Sequence, residues 1–565
     1  MTTAALAAPR IRPLRSTDDL VLIGAVVLGG VFLALALVAP LGALLAKSFQ
    51  DERGQFVGLA NYIRYVETPA LLGSLWNSIW VAALTTAIVL PLAFGYAYAL
   101  TRSAMPAKAL FRAVALIPIL APSLLPALAL IYLFGNQGML KPLLMGGTIY
   151  GPSGIIVSEV FYCFPPAVLI LATALSGADA RLYEAAEALR ASRIRVMRTV
   201  TLPAARYGMI SAGFVVFTLV ITDFGIPKVI GGSFNVLATD VYKQVVGQQN
   251  FQMGAVVGMV LLAPAVLAYL VDGWARRRQT SSVSARAVPY VPKRRPKRDG
   301  PLFLHCAVIA ALMLGLIGVA AWGSLITFWP WNLSLTLANY EFGRFDSAGW
   351  GSWWNSVTLA AWTAAIGAPL VFLFAYGMEK ARAVPALAGI VRFAATVPLA
   401  VPGLVLGIAY IFFFNAPANP AGFLYGTMGI LVLNSIVHFY TVGHLASVTA
   451  LKQLDPEFES VAASLKVPVW RSFLTVTVPI SLPVILDVAI YLFVNAMTTV
   501  SAVVFLYAPD TKPAAVALVQ MDEAGQASAA AAMAMTILLT SAAVKGMHVL
   551  ADRVIDRRTQ AWRNR

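Results

Sequence analysis

Long apolar runs, interrupted by short polar stretches, set the pattern of this chain. Leu20 to Ala46 contains no charged residue, and comparable stretches recur near 75–100, 111–135, 152–175, 208–230 and 253–275. A second series follows near 301–328, 355–379, 391–414, 427–450, 479–507 and 527–550. A helix needs ~20 apolar residues to cross a bilayer. The pattern therefore predicts an all-α polytopic membrane protein of about twelve transmembrane helices.

The series is also written twice. Thr199-Val200-Thr201-Leu202-Pro203 returns as Thr475-Val476-Thr477-Val478-Pro479, displaced by 276 positions. Asn77-Ser78 and Pro91 return as Asn355-Ser356 and Pro369 at 278, and Pro118 and Pro122 as Pro398 and Pro402 at 280. Six spans separate the copies, so both begin on the same side of the membrane and form parallel repeats. The expected organisation is a first repeat over 1–275, a basic linker over 276–300 and a second repeat over 301–565. Two such halves enclose a pathway.

Composition agrees with a bilayer solvent: 59% of residues are hydrophobic and only 12% charged, about half the usual share of a soluble domain. The net charge of +16 would suggest nucleic acid in a soluble protein. Here it is distributed by topology. Arg102, Lys108, Arg112, Arg181, Arg190, Arg193, Arg195, Arg198 and Arg206 share one face with Lys380, Arg382, Arg392, Lys452, Lys466 and Arg471. By the positive-inside rule that face is cytoplasmic, as are both termini and the linker. Arg10, Arg12 and Arg15 precede an apolar run too long for a cleaved signal, so the first span is expected to be retained. Arg276-Arg277-Arg278 and Lys293-Arg294-Arg295-Pro296-Lys297-Arg298 bracket a polar, proline-bearing stretch that reads as a flexible connector beside membrane lipid.

Catalytic chemistry is not found in the residues. Cys163 and Cys306 lie in apolar stretches without metal-ligand spacing. His305, His438, His444 and His548 are scattered. No G-x-x-x-x-G-K-[ST] phosphate loop occurs in the chain, so any ATP hydrolysis belongs to another polypeptide.

The polar element over 176–207 is the most specific. Asp179 opens a helix carrying Glu184, Ala185, Ala186 and Leu189, with Pro203 fourteen residues beyond the leucine. The second copy, over 451–479, keeps the spacing through Asp455, Leu465 and Pro479. This frame resembles the EAA loop of permease subunits of binding-protein-dependent ATP-binding cassette importers. The resemblance implies a type I importer-like fold in a bacterial inner membrane. It also implies coupling helices docked on two copies of a cytoplasmic ATPase that holds ATP and Mg, and a periplasmic substrate-binding protein; this chain itself binds no cofactor or metal. Two departures stand out. The glycine usual after the motif leucine is Arg190 in one copy and Lys466 in the other. The Glu-Ala-Ala register reads Ser460-Val461-Ala462 in the second copy, with Glu459 one position early.

Intramembrane polar residues are candidates for the substrate path. Asp223 and Lys228 interrupt the fifth span beside Gly225 and Pro227, and they are open either to lining the path or to pairing with each other. Glu159, Asn434, His438 and Asp487 are further candidates, equally explained by hydrogen bonding between helices. The segment from Thr222 to Gly232, continuing through Asn235 to Tyr242, is similar to permeases assigned to 2-aminoethylphosphonate. Ferric iron and thiamine are the alternatives within the same family. A secondary transporter driven by an ion gradient would suit twelve helices in parallel halves, but it leaves the matched loops unexplained.

Overall fold

The computed structural model describes residues 17–282, 288, 290–381, 383–455 and 457–559. Arg10, Arg12, Arg15, Arg382 and the side chains of Arg276, Arg277 and Glu459 lie outside the described part.

In the first half the helices are α1 (Thr17–Leu33), α2 (Ala39–Ser48), α3 (Ala60–Glu67), α4 (Pro69–Arg102), α5 (Lys108–Leu116), α6 (Leu124–Phe134) and α7 (Pro152–Ser176). They continue as α8 (Ala180–Ala188), α9 (Arg193–Val196), α10 (Leu202–Thr222), α11 (Gly225–Ile230), α12 (Leu237–Tyr242) and α13 (Phe251–Ser282). The second half opens with α14 (Pro296–Leu325), a hairpin of β1 (Ile326–Phe328) and β2 (Asn332–Leu335), α15 (Trp350–Lys380), α16 (Pro385–Thr396) and α17 (Gly403–Phe414). It ends with α18 (Met428–His438), α19 (Tyr440–Gln453), α20 (Glu457–Ser464), α21 (Val469–Ser472), α22 (Val478–Thr498), α23 (Ala514–Glu523) and α24 (Ala527–Thr559). Among the described residues nine helices are long and apolar enough to cross a membrane, and three bent pairs bring the number to twelve. Val27, Leu28, Val31 and Leu35 are exposed on the first span, as a lipid-facing surface requires.

Two of the bent pairs depart most from the straight helices expected of them. α5 and α6 meet at 98°, α16 and α17 at 114°. The prolines explain both: Ala121 and Val401, each preceding a proline, are extended at ψ 148° and 115°, because the following ring disfavours helical geometry. The fifth spans end at Thr222 and Thr498 rather than near 230 and 507. Asp223 and Thr499 are extended at ψ 135° and 136°, and short turns or helices return from there. α13 and α14 also shorten the connector expected over 276–300, and Tyr290 and Arg295 of that connector contact the first half.

The repeat is visible in hydrogen bonds. Asn61 Nδ2 donates to the Ser48 and Gln50 carbonyls at 3.0 and 2.9 Å, and Asn339 Nδ2 to those of Ser324 and Ile326 at 3.0 and 2.7 Å. Ser78 Oγ accepts the Leu237 N–H at 2.8 Å, and Ser356 Oγ accepts that of Ala514 at 2.8 Å. Asn77 and Asn355 donate to the carbonyls of Asn235 and Asp510. Each Asn-Ser pair thus pins the returning segment to the second span, with each serine satisfying a buried backbone N–H.

The sequence halves are not separate packing units. α1 packs on α15, α16 and α21 of the second half, and α14 packs on α4, α5 and α6 of the first. Each repeat therefore lends its opening helix to the other. Tyr410 Oη donates to the Ala36 carbonyl at 2.7 Å across this exchange.

Candidate functional site

Asp179 Oδ1 accepts the Arg181 N–H at 3.0 Å, and Asp455 Oδ1 accepts that of Glu457 at 2.9 Å. Such caps start α8 and α20 by satisfying donors that have no helical partner. Both helices end in the same way. The Arg190 N–H reaches the Glu187 carbonyl at 3.0 Å and the Ala191 N–H that of Ala186 at 2.9 Å. The second loop repeats this with Lys466 to Ala463 at 3.1 Å and Val467 to Ala462 at 2.9 Å. These are Schellman closures, whose left-handed residue is usually glycine. Arg190 and Lys466 occupy it at φ +49° and +55°. The two departures seen in the motif are thus two side chains held in a strained conformation. The closures also fix the register: Glu184-Ala185-Ala186 and Ser460-Val461-Ala462 sit at the same turns.

The phrase Thr-Val-Thr-x-Pro becomes a widened, π-helical turn in each copy, Met197–Thr201 and Phe473–Thr477. Thr199 Oγ1 donates to the Arg195 carbonyl at 2.8 Å and Thr475 Oγ1 to that of Arg471 at 2.7 Å. Pro203 and Pro479 sit in the first turn of α10 and α22. There their missing N–H removes the donor that a regular turn would aim at Thr199 and Thr475.

The surface these elements present is apolar and matched. Leu189 and Leu465 are 82% and 70% exposed. Leu182 and Phe458, then Ile194 and Trp470, are exposed at the same displacement of 276. Glu184, Ala185, Ser460, Pro203 and Pro479 are exposed, whereas Ala186 and Ala462 are half-buried. Sequence reasoning missed the outer two pairs. The available signal was an apolar residue at matched positions inside otherwise polar loops. Exposed apolar groups of this kind mark a partner surface.

The intramembrane candidates are not gathered into one cluster. Asp223 Oδ2 accepts the Ile226 N–H at 2.8 Å, holding the break between α10 and α11. Lys228 does not pair with Asp223. It forms an ion pair with Glu523 at the end of α23 in the other half, with Nζ 4.7 Å from the Tyr242 ring centroid. Tyr242 in turn stacks on Phe505 at 6.0 Å. Glu523, Tyr242 and Phe505 are thus inter-half contacts invisible in the linear motifs. Glu159 is fully buried; Cys163 Sγ approaches its Oε2 at 3.6 Å, and Oε1 has no hydrogen-bond partner among the described residues. Asn434 Nδ2 donates to the Ala502 carbonyl, and its Oδ1 finds no partner among the described residues. His438 packs on Phe439, with Nδ1 likewise unpartnered among them. Asp487 faces His548 at 3.6 Å.

The similarity to known proteins covers both halves. A ferric transport system permease protein of Actinobacillus pleuropneumoniae is 28% identical over 93% of this chain and 77% of its own length. A protein of Haemophilus influenzae, likewise assigned to ferric transport, is 27% identical over 84% of this chain and 76% of its own length. A permease assigned to 2-aminoethylphosphonate transport in Salmonella typhimurium is 26% identical, over 39% of this chain and 80% of its own. The duplicated loops fall inside two separate family matches, over 91–281 and 367–557. This chain, a permease of an ATP-binding cassette importer, belongs to the family of binding-protein-dependent transport system inner membrane components.

Proposed function

We propose that this permease carries ferric iron from a periplasmic binding protein to the cytoplasm, driven by two copies of a cytoplasmic ATPase. The paired exposed side chains Leu182/Phe458, Leu189/Leu465 and Ile194/Trp470 carry the docking part of the reading. Two equivalent apolar surfaces on one chain suit two copies of one partner. Both termini lie on the same cytoplasmic side. ATP and Mg sit in the ATPase dimer; its closure draws α8 and α20 together, and the exchanged opening helices convert that movement into rotation of the two halves. The path then alternates between the two sides of the membrane.

The cargo reading rests on the relatives: those assigned to ferric transport match both repeats, whereas the phosphonate relative matches the length of one. Lys228 favours the second reading, an anionic phosphonate.

The test is reconstitution in proteoliposomes with the cognate ATPase and binding protein, following radiolabelled iron and 2-aminoethylphosphonate separately. ATP-dependent iron uptake that Glu184→Arg with Ala186→Asp abolishes is the expected result. Uptake of phosphonate alone overturns the cargo, and uptake independent of ATP overturns the mechanism.

A further inference from the structure

The segment joining the repeats exists once, and among the described residues it lies against one of the two coupling helices. The Ala180 N–H, at the start of α8, donates to the Val288 carbonyl at 2.9 Å, and the Val288 N–H approaches Asp179 Oδ1 at 3.4 Å. Three residues beyond Ala180, Tyr183 stands 4.9 Å from Tyr290, centroid to centroid. The guanidinium of Arg102, the last residue of α4, lies 4.7 Å from each of these two rings. Arg102 is 2% exposed and also donates to the Leu175 carbonyl, so a buried cation is held between the coupling helix and the connector. One turn further along α8, Glu187 forms an ion pair with Arg295 and faces Lys293 Nζ at 3.9 Å.

These contacts follow α8 from its cap to its last turn. They occupy the side of Tyr183 and Glu187 and leave Leu182 and Leu189 exposed. The second loop lacks the same groups: Tyr183 and Glu187 correspond to Glu459 and Ala463, and Arg102 to Lys380. Instead, Asp18 of α1 accepts the Val469 N–H of α21 at 3.0 Å. A single connector cannot serve two loops, and the residues that would receive it are present at one.

We propose that the connector is a positioning strap, with Val288, Tyr290 and Arg295 holding the first coupling helix in its docking orientation and making that ATPase contact the stiffer of the two. The inference rests on the assignment of α8 as an ATPase-docking helix. Tyr290 and Arg295 act through that helix, since neither is placed among its exposed docking side chains. Both belong to a surface segment, so their removal leaves the membrane core intact.

Two measurements on the full-length chain test the strap. In the purified permease, Tyr290→Ala with Arg295→Ala is expected to speed amide hydrogen exchange over 180–190 by ~10-fold, with exchange over 457–466 unchanged. Unchanged exchange in the first loop, or equal acceleration in both, overturns the proposal. In the reconstituted importer the same variant is expected to lower substrate-stimulated ATPase activity several-fold, and Tyr290→Phe with Arg295→Lys, which keeps ring and charge, is expected to restore it. Faster exchange with undiminished stimulation overturns the link to coupling. If the unmodified chain elicits no ATPase stimulation, the docking assignment itself fails, while the exchange data still report on the strap.

Discussion

The two repeats share their hydrogen-bonded frame but exchange the side chains that fill it. Asn61 and Asn339, Ser78 and Ser356, and the hydroxyl pairs Ser48–Tyr62 and Ser324–Tyr340 (both 2.9 Å) repeat with little change. Elsewhere the two partners of a contact have traded places. A Cβ on Gly225 would lie 2.5 Å from Ser123 Oγ, and one on Gly403 would lie 2.6 Å from Ser501 Oγ; the glycine has moved to the other side of the same contact. Lys243 donates to Asn235 Oδ1 in the first half, whereas Lys512 donates to Gln520 Oε1 at 3.2 Å in the second. Ser211 donates to Asp272 where the second half sets Asp487 against His548. Backbone staples tolerate little variation because a buried backbone group left without its partner costs the full desolvation penalty. Packing and polar pairs tolerate much, provided both members change together.

The largest expected effects separate the repeats at the two loops proposed to dock the ATPase. Leu189→Asp and Leu465→Asp each replace the most exposed of a loop's matched apolar side chains with a carboxylate, and each is expected to lower uptake by roughly 100-fold. The first loop keeps Glu184-Ala185-Ala186 intact and is held by the connector, so Leu189→Asp is expected to be the more severe. Equal losses in transport assays would remove the asymmetry between the loops.

Stability gives the next contrast. Lys512 and Asp346 form an ion pair with side chains 7% and 5% exposed, and Asp346 Oδ2 also accepts from Ser352 Oγ at 2.9 Å. The first half places Asn235 and Thr68 at the matching positions. Removing one buried partner strands the other charge, so Asp346→Ala is expected to cost about 3–5 kcal/mol. Installing the first-half identities, Asp346→Thr with Lys512→Asn, removes both charges and is expected to recover most of that loss in thermal unfolding. A double variant as unstable as the single one would show that the site needs its ions.

The traded glycines sharpen the comparison further. Gly225→Ser crowds Ser123 Oγ and Leu124, whose side chain lies 3.2 Å from the added Cβ position, at an expected cost of about 1–3 kcal/mol. Ser123→Gly in the same chain relieves the shorter clash and reproduces the second-half arrangement. The reciprocal Gly403→Ser with Ser501→Gly is expected to recover less, because the Ala502 backbone nitrogen stands 3.0 Å from the new Cβ. Equal recovery in the two halves, read from unfolding midpoints, would contradict this reading.

The twelve spans, the repeat and the two matched polar loops were legible in the sequence because each depends on local pattern: apolar length, proline position and a motif spacing. The Glu-Ala-Ala register was legible for the same reason, as the closures at Arg190 and Lys466 show. What stayed hidden joins residues far apart in the chain. Lys228 finds Glu523 rather than the nearby Asp223, and Arg102 meets Tyr290 across the whole first repeat. The exchange of α1 and α14 was equally hidden, since a span's apolar face does not encode which half it covers. The contacts of the connector were hidden for a different reason: its composition is that of a free linker and gives no sign that Tyr290 and Arg295 meet Tyr183 and Glu187.

The smallest predicted effect tests whether the repeats are alike where they look alike. Arg190 and Lys466 close α8 and α20 at positive φ, +49° and +55°, a conformation that glycine adopts without a Cβ penalty. Their N–H groups are engaged in the closing turn and their side chains are exposed, so glycine removes strain without removing a buried contact. Glycine also gains freedom in the unfolded chain, which offsets part of that relief. Arg190→Gly and Lys466→Gly are each expected to stabilise the purified permease by about 0.5–1 kcal/mol, seen as small rises in unfolding midpoint. Their effects should add, because the two loops share no contact through these residues. The increments should also be nearly equal, since the backbone geometry is the same in both copies whatever holds the helix from outside. A gain confined to Lys466→Gly would mean that the connector already stabilises the first closure, and the strap would then extend past Glu187 to the turn itself.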